Sequence, residues 1–145
     1  MRTLLTICTL SLLALAACNK KGGMDPKPKI SFKNITESVK RGDSISISFA
    51  FEDGDADIEE NAQVVIIDSR DTAKNEAIFP FPRIFDGFLD PQLGIKGSVL
   101  VVLGRNYTRL KDTTQAEKAT FEVFMKDAAG NASNRITTPE VTIEP

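Results

Sequence analysis

The sequence predicts an all-β fold, a single antiparallel sandwich of six or seven short strands, and three observations predict it. Apolar and polar residues alternate with a period of two in several runs after Lys29. No stretch in that region carries a convincing helical period. Turn signals separate the alternating runs: Arg41-Gly42-Asp43, Asp53-Gly54-Asp55, Asp86-Gly87 and Ala129-Gly130-Asn131.

Each strand has its own warrant. Ile30 and Phe32 begin the first. Ser44 to Phe51, SISISFAF, is the clearest, with Ile45, Ile47, Phe49 and Phe51 on one side and small residues on the other. Val64 to Ile67 and Val99 to Leu103 are apolar β-branched runs that read as buried strands. Phe121, Val123 and Met125 alternate with Thr120, Glu122 and Phe124, so both faces of that strand are expected to be covered. Val141 and Ile143 close the chain.

Ahead of this domain, Arg2 is followed by an apolar run from Leu4 to Ala17, broken only by Thr and Ser. A membrane span needs about 20 apolar residues, so this run reads as a secretory leader. It ends in Leu15-Ala16-Ala17-Cys18, which resembles the lipobox of bacterial lipoproteins. The resemblance implies cleavage after residue 17, diacylation of the Cys18 sulfur and acylation of the new amino group. It also discards Cys8, leaving no pair of thiols for an internal disulfide. Residues 1–17 are then the signal peptide, 18–29 the lipidated Cys and a flexible tether, and 30–145 the sandwich. In the tether NKKGGMDPKPK, Gly22-Gly23 gives freedom while Pro26 and Pro28 stiffen the approach. Asn19 after the cysteine, rather than Asp, resembles the outer-membrane sorting pattern of Gram-negative lipoproteins. The expected address is the cell envelope, at the outer membrane facing the periplasm.

The order of strand and loop features resembles the immunoglobulin-like and cadherin-like domains of bacterial envelope proteins. Two segments carry the likeness: GDSISISFAFEDGDADI, a strand running into an acidic loop, and FEVFMKDAAGNASNRITTPEVTI, a final hairpin. Small Bacteroidota envelope lipoproteins with an Asp-Gly-Asp loop look most similar. The antibody-type Cys pair and core Trp are missing, so the resemblance implies a fold and an address, not an activity.

The acidic loop is the first candidate site. Glu52, Asp53, Asp55, Asp57, Glu59 and Glu60 follow one another without an intervening Lys or Arg. Such crowding is relieved either by solvent or by a hard cation with oxygen ligands. Asp53, Asp55 and Asp57 have the spacing that opens an EF-hand loop. Ile58 then stands where that loop needs Gly, and Val64 where it needs Glu. A sandwich instead places the loop after one strand beside the loop of the last hairpin, so Asp127 and Asn131 are expected near the three aspartates. A solvated acidic loop and a Ca²⁺ site are both open readings. No other cofactor is indicated.

Phe79-Pro80-Phe81-Pro82, with Phe85 and Phe88 behind it, suits an edge strand or a cap on the core, because the prolines delete donors along one edge. The alternative is an aromatic docking patch. Asp43-Ser44-Ile45, Asp71-Thr72-Ala73 and Asp112-Thr113-Thr114 resemble the O-glycosylation acceptor pattern of exported Bacteroidota proteins, which implies Ser44, Thr72 and Thr113 as acceptors.

Lys plus Arg is 18 against 20 for Asp plus Glu, a net charge of −2, with no basic stripe to suit nucleic acid. The chain has no His and only two Cys, which leaves no Ser-His-Asp triad, thiol protease or His metal site. The expected function is therefore non-catalytic: a membrane-anchored binding module for an envelope protein or glycan. The alternative is a structural or accessory subunit of an outer-membrane complex, and more distantly a small carboxylate-dependent hydrolase.

Overall fold

The computed structural model describes residues 25–58, 61–82 and 93–145. The signal peptide, Cys18, most of the tether, Glu59, Glu60, Phe85 and Phe88 lie outside the described residues.

The described residues form ten strand segments: β1 (Lys29–Ile35), β2 (Ser38–Lys40), β3 (Ile45–Asp53), β4 (Gln63–Asp68), β5 (Ala77–Pro80), β6 (Ile95–Leu103), β7 (Glu117–Ala119), β8 (Phe121–Lys126), β9 (Ile136–Thr137) and β10 (Val141–Glu144). The fold is the expected all-β sandwich. Its extra segments over the expected count are short ones: β2 and β7 have three residues each and β9 has two. Their side chains are too few to announce a period in the sequence. A 3₁₀ turn, Arg105–Thr108, interrupts the β structure.

The strands pair in the orders β1-β3-β6, β5-β4-β8-β9 and β2-β10-β7. All pairings are antiparallel except β2 with β10, which run parallel. The chain leaves β3's sheet after Ile35 and joins β10, so the one parallel contact arises where a strand changes sheets. β7 leads into β8 across Thr120 alone, which carries the β2-β10-β7 ladder on to the four-stranded sheet.

Alternation on β3 decides what the core contains. Ile45, Ile47, Phe49 and Phe51 are buried, while Ser46, Ser48 and Ala50 are half-exposed. They meet Val64 and Ile66 of β4 and Phe121, Val123 and Met125 of β8 in one apolar cluster. Burying a side chain of this size contributes about 1.5–3 kcal/mol. The run on β6 departs from the expectation of a wholly buried strand. Val99, Val101 and Leu103 are buried, but Leu100 and Val102 are 63% and 53% exposed. β6 ends its sheet, and its register opposes Leu100 to Ser48 and Val102 to Ser46 on the outer face. β-Branched composition marks a strand but does not say how many of its faces are covered.

Candidate metal centre

The same alternation that fills the core delivers two carboxylates to its end. On β3 the inward positions run Ile45, Ile47, Phe49, Phe51, and the next in phase is Asp53, which is fully buried. On β8 they run Phe121, Val123, Met125, and the next in phase is Asp127, 2% exposed. Both strands thus leave the sandwich at one pole with an inward-pointing aspartate.

The loop after β3 folds back over that pole, with Ile58 and Ala62 buried beneath it. It turns through Ala56, whose φ of 56° is a conformation that residues with a Cβ seldom adopt. The turn sets the three carboxylates of Asp53, Asp55 and Asp57 so that one oxygen from each lies within 4.8 Å of the others. Asp57 N–H donates to Asp53 Oδ2 at 3.1 Å.

The 127–131 turn docks on this loop. Ala128 N–H donates to the Asp57 carbonyl at 2.8 Å, and Ala129 N–H donates to Asp57 Oδ2 at 3.0 Å. Within the turn, Asn131 N–H donates to Asp127 Oδ1 at 2.6 Å and its side-chain amide to Asp127 Oδ2 at 2.8 Å. Gly130, with φ of 89°, makes the reversal possible. Asn131 therefore acts on Asp127, holding that carboxylate in place.

One side of the cluster is satisfied and the other is not. Asp53 Oδ1, Asp55 Oδ1 and Asp57 Oδ1 are all buried and have no hydrogen-bond partner. Among the described residues no Lys or Arg forms an ion pair with Asp53, Asp55, Asp57 or Asp127. Burial, and then the neighbouring charges of Asp55, Asp57 and Asp127, push the Asp53 carboxyl up from 3.8 to about 7. Burial and the charges of Asp127 and Asp55 raise Asp57 as well, against the opposing donation from Ala129.

The remaining candidates lie elsewhere. β5 is the edge strand of its sheet, and Phe79 and Phe81 are half-buried against the core while Pro80 and Pro82 are exposed. Phe81 meets Phe51 edge to face at 5.1 Å between ring centres. Thr72 and Thr113 are exposed in turns, and Ser44 is exposed just ahead of β3. Asp71 accepts the N–H groups of Ala73 and Asn75, and Asp112 accepts the Thr114 N–H and hydroxyl, so both aspartates shape their own turns.

One polar cluster far along the chain from the acidic loop has no counterpart in the sequence reading. Arg70 pairs with Asp68 at 2.6 Å and donates to the carbonyls of Tyr107 and Arg109, tying the β4 turn to the 3₁₀ segment. Nothing in the spacing of Arg70 and Tyr107 along the chain announces it.

No family model and no curated protein matches the chain. Among solved structures it is similar to a Niemann-Pick type C2 protein from the Japanese carpenter ant, at 13% identity and a TM-score of 0.48, covering 84% of this chain and 97% of that one. It is similar also to the PKD domain of an M14-like peptidase from a Thermoplasmatales archaeon, at 16% identity and a TM-score of 0.43, covering 83% and 98%. A β-glucosidase from Listeria innocua shares 13% identity at a TM-score of 0.47, covering 82% of this chain, which spans only 16% of that enzyme.

Proposed function

We propose that the protein is a lipid-anchored, non-catalytic β-sandwich that presents a binding surface for a protein or glycan of the bacterial cell envelope. The observation that carries this reading is the series Leu15-Ala16-Ala17-Cys18, placed at the end of an apolar leader and ahead of a Gly- and Pro-containing spacer. Acyl chains at one cysteine hold a protein to a bilayer where a single chain would bind only marginally. The chain's lack of His supports the non-catalytic part, because the common base of nucleophilic hydrolysis is missing.

The test compares detergent phase partitioning of the native protein with that of Cys18→Ser. The expected result is wild type in the detergent phase and the variant in the aqueous phase or retained as uncleaved precursor. A processed variant that stays as lipid-bound as wild type would overturn the anchor. Crosslinking in intact cells followed by mass spectrometry then identifies the bound envelope component.

A further inference from the structure

We propose that the 53–57 loop at this pole is a Ca²⁺ site with Asp53, Asp55 and Asp57 as ligands; Asp127 and Asn131, expected beside them from the sequence, stand outside this set, because both Asp127 oxygens accept from Asn131. Crowded acidic residues alone would not justify this, since an exposed acidic loop is stable in water. The decisive group is Asp53. Its side chain is fully buried, and its Oδ1 points into the cluster with nothing to accept from. A buried oxygen without a donor is costly, and an ionised one more so.

Asp55 Oδ1 and Asp57 Oδ1 are likewise buried without a partner, and one oxygen from each of the three carboxylates has a spacing that fits a single ion. Ca²⁺ binds oxygen at about 2.3–2.6 Å, so any two of its ligands lie no more than about 5 Å apart. The carboxylate oxygens of Asp53, Asp55 and Asp57 lie within 4.8 Å of one another. The division of labour between oxygens agrees. Asp53 and Asp57 each spend Oδ2 on a backbone N–H and leave Oδ1 free.

Ligand chemistry selects the metal. The set is all oxygen and anionic, which suits a hard dication rather than Zn²⁺ or Cu²⁺. Asp55 and Asp57 are only half-buried, which leaves room for the waters and carbonyls that complete a coordination number of 6–8. Mg²⁺ demands a stricter octahedron at shorter distance, which three carboxylates on one half-exposed loop do not impose. Closing them on the ion would brace the loop at one end of the sandwich.

The experiment uses the full-length protein purified in detergent, stripped with EDTA and titrated with CaCl₂ by calorimetry, with thermal unfolding followed in parallel. Binding of one ion is expected, with Tm rising by about 5–10 °C at a concentration well above Kd and falling back on addition of EDTA. Asp53→Asn and Asp57→Asn, each checked for native circular dichroism, are expected to lose the rise. The half-exposed Asp55→Asn, the change least able to disturb folding, is expected to weaken binding at least tenfold. No heat and an unchanged Tm in 5 mM Ca²⁺ would overturn the proposal. So would a rise kept in full by all three variants, or an equal rise with Mg²⁺. Membrane anchoring plays no part in these readouts, so the outcome is independent of the fate of Cys18→Ser.

Discussion

Asp53→Asn is expected to change stability with opposite sign depending on whether the cluster is metal-free. In EDTA, burial and the charges of Asp55, Asp57 and Asp127 raise the carboxyl of Asp53 from 3.8 to about 7. The folded state then holds a proton that the unfolded chain has already released. Between about pH 4 and pH 7 the native protein binds more protons, so stability falls as pH rises through that window and levels off above it. Converted at about 1.36 kcal/mol per tenfold, the ionised form costs the metal-free fold on the order of 4 kcal/mol at pH 8. Asparagine keeps the shape and an oxygen to accept from Asp57 N–H, but it cannot ionise. Urea unfolding at pH 4.5, 6 and 8 in EDTA, followed by circular dichroism, measures both proteins. The surface carboxylates Asp71 and Asp112, which local donors hold below their ordinary range, titrate alike in each and cancel in the difference. The expected result is near equality at pH 4.5 and an advantage of a few kcal/mol for Asp53→Asn at pH 8. In excess Ca²⁺ the order reverses. A variant less stable than wild type at pH 8 in EDTA would refute the reasoning, since it would mean that the Asp53 charge is already neutralised by the protein itself.

Other substitutions test the fold that holds this pole. Gly97→Ala should cost about 1–3 kcal/mol in urea unfolding, because the new Cβ would stand 2.7 Å from Phe51 Cε1 and 2.9 Å from Cζ, a ring already set against Phe81. Phe49→Ala empties a fully buried position and should cost about 3–5 kcal/mol, measured in the same way. Arg70→Ala should cost about 2–3 kcal/mol by leaving Asp68 Oδ2 and two carbonyls without their donor, while Arg70→Lys recovers only part of the loss, since an ammonium cannot span the same acceptors. Its effect on Ca²⁺ affinity, measured calorimetrically, should be less than twofold.

What the sequence made legible was what its local periodicity encodes. SISISFAF declared β3, and its parity placed Ile45, Ile47, Phe49 and Phe51 inward correctly, while Asp53, expected in a turn, is the strand's last inward residue. The same parity, continued by one step, marks Asp53 as inward, and continued from Met125 it marks Asp127. An aspartate in phase with a buried apolar row is therefore a sharper signal than a run of acidic residues, because alternation forces it away from water. β2, β7 and β9 were not legible, since two or three residues show no period and their pairing is decided by tertiary contacts. Exposure of Leu100 and Val102 was equally hidden, for it depends on which face of the β1-β3-β6 sheet the rest of the fold leaves uncovered. Arg70 reaches across from one turn to another, a relation between residues 37 apart that only folding creates.

Strand register ties the candidate site to the proposed anchor. β1 opens with Lys29 opposite Glu52, one residue before the buried Asp53. Asn134, beyond the 127–131 turn, closes over the same end of β1 by exchanging hydrogen bonds with the Ile30 backbone, 2.9 Å in each direction. The chain thus joins the sandwich at the acidic pole. With Cys18 acylated, the spacer to Lys29 reaches at most about 35–40 Å, so this pole is the part of the domain tied nearest to the lipid. A dication bound there would neutralise charge in the 53–57 loop, next to the end of β1 that takes up the tether. If both proposals hold, cation binding and lipid anchoring meet at one end of the molecule, where an ion would stiffen the loop that follows β3, the partner strand of β1.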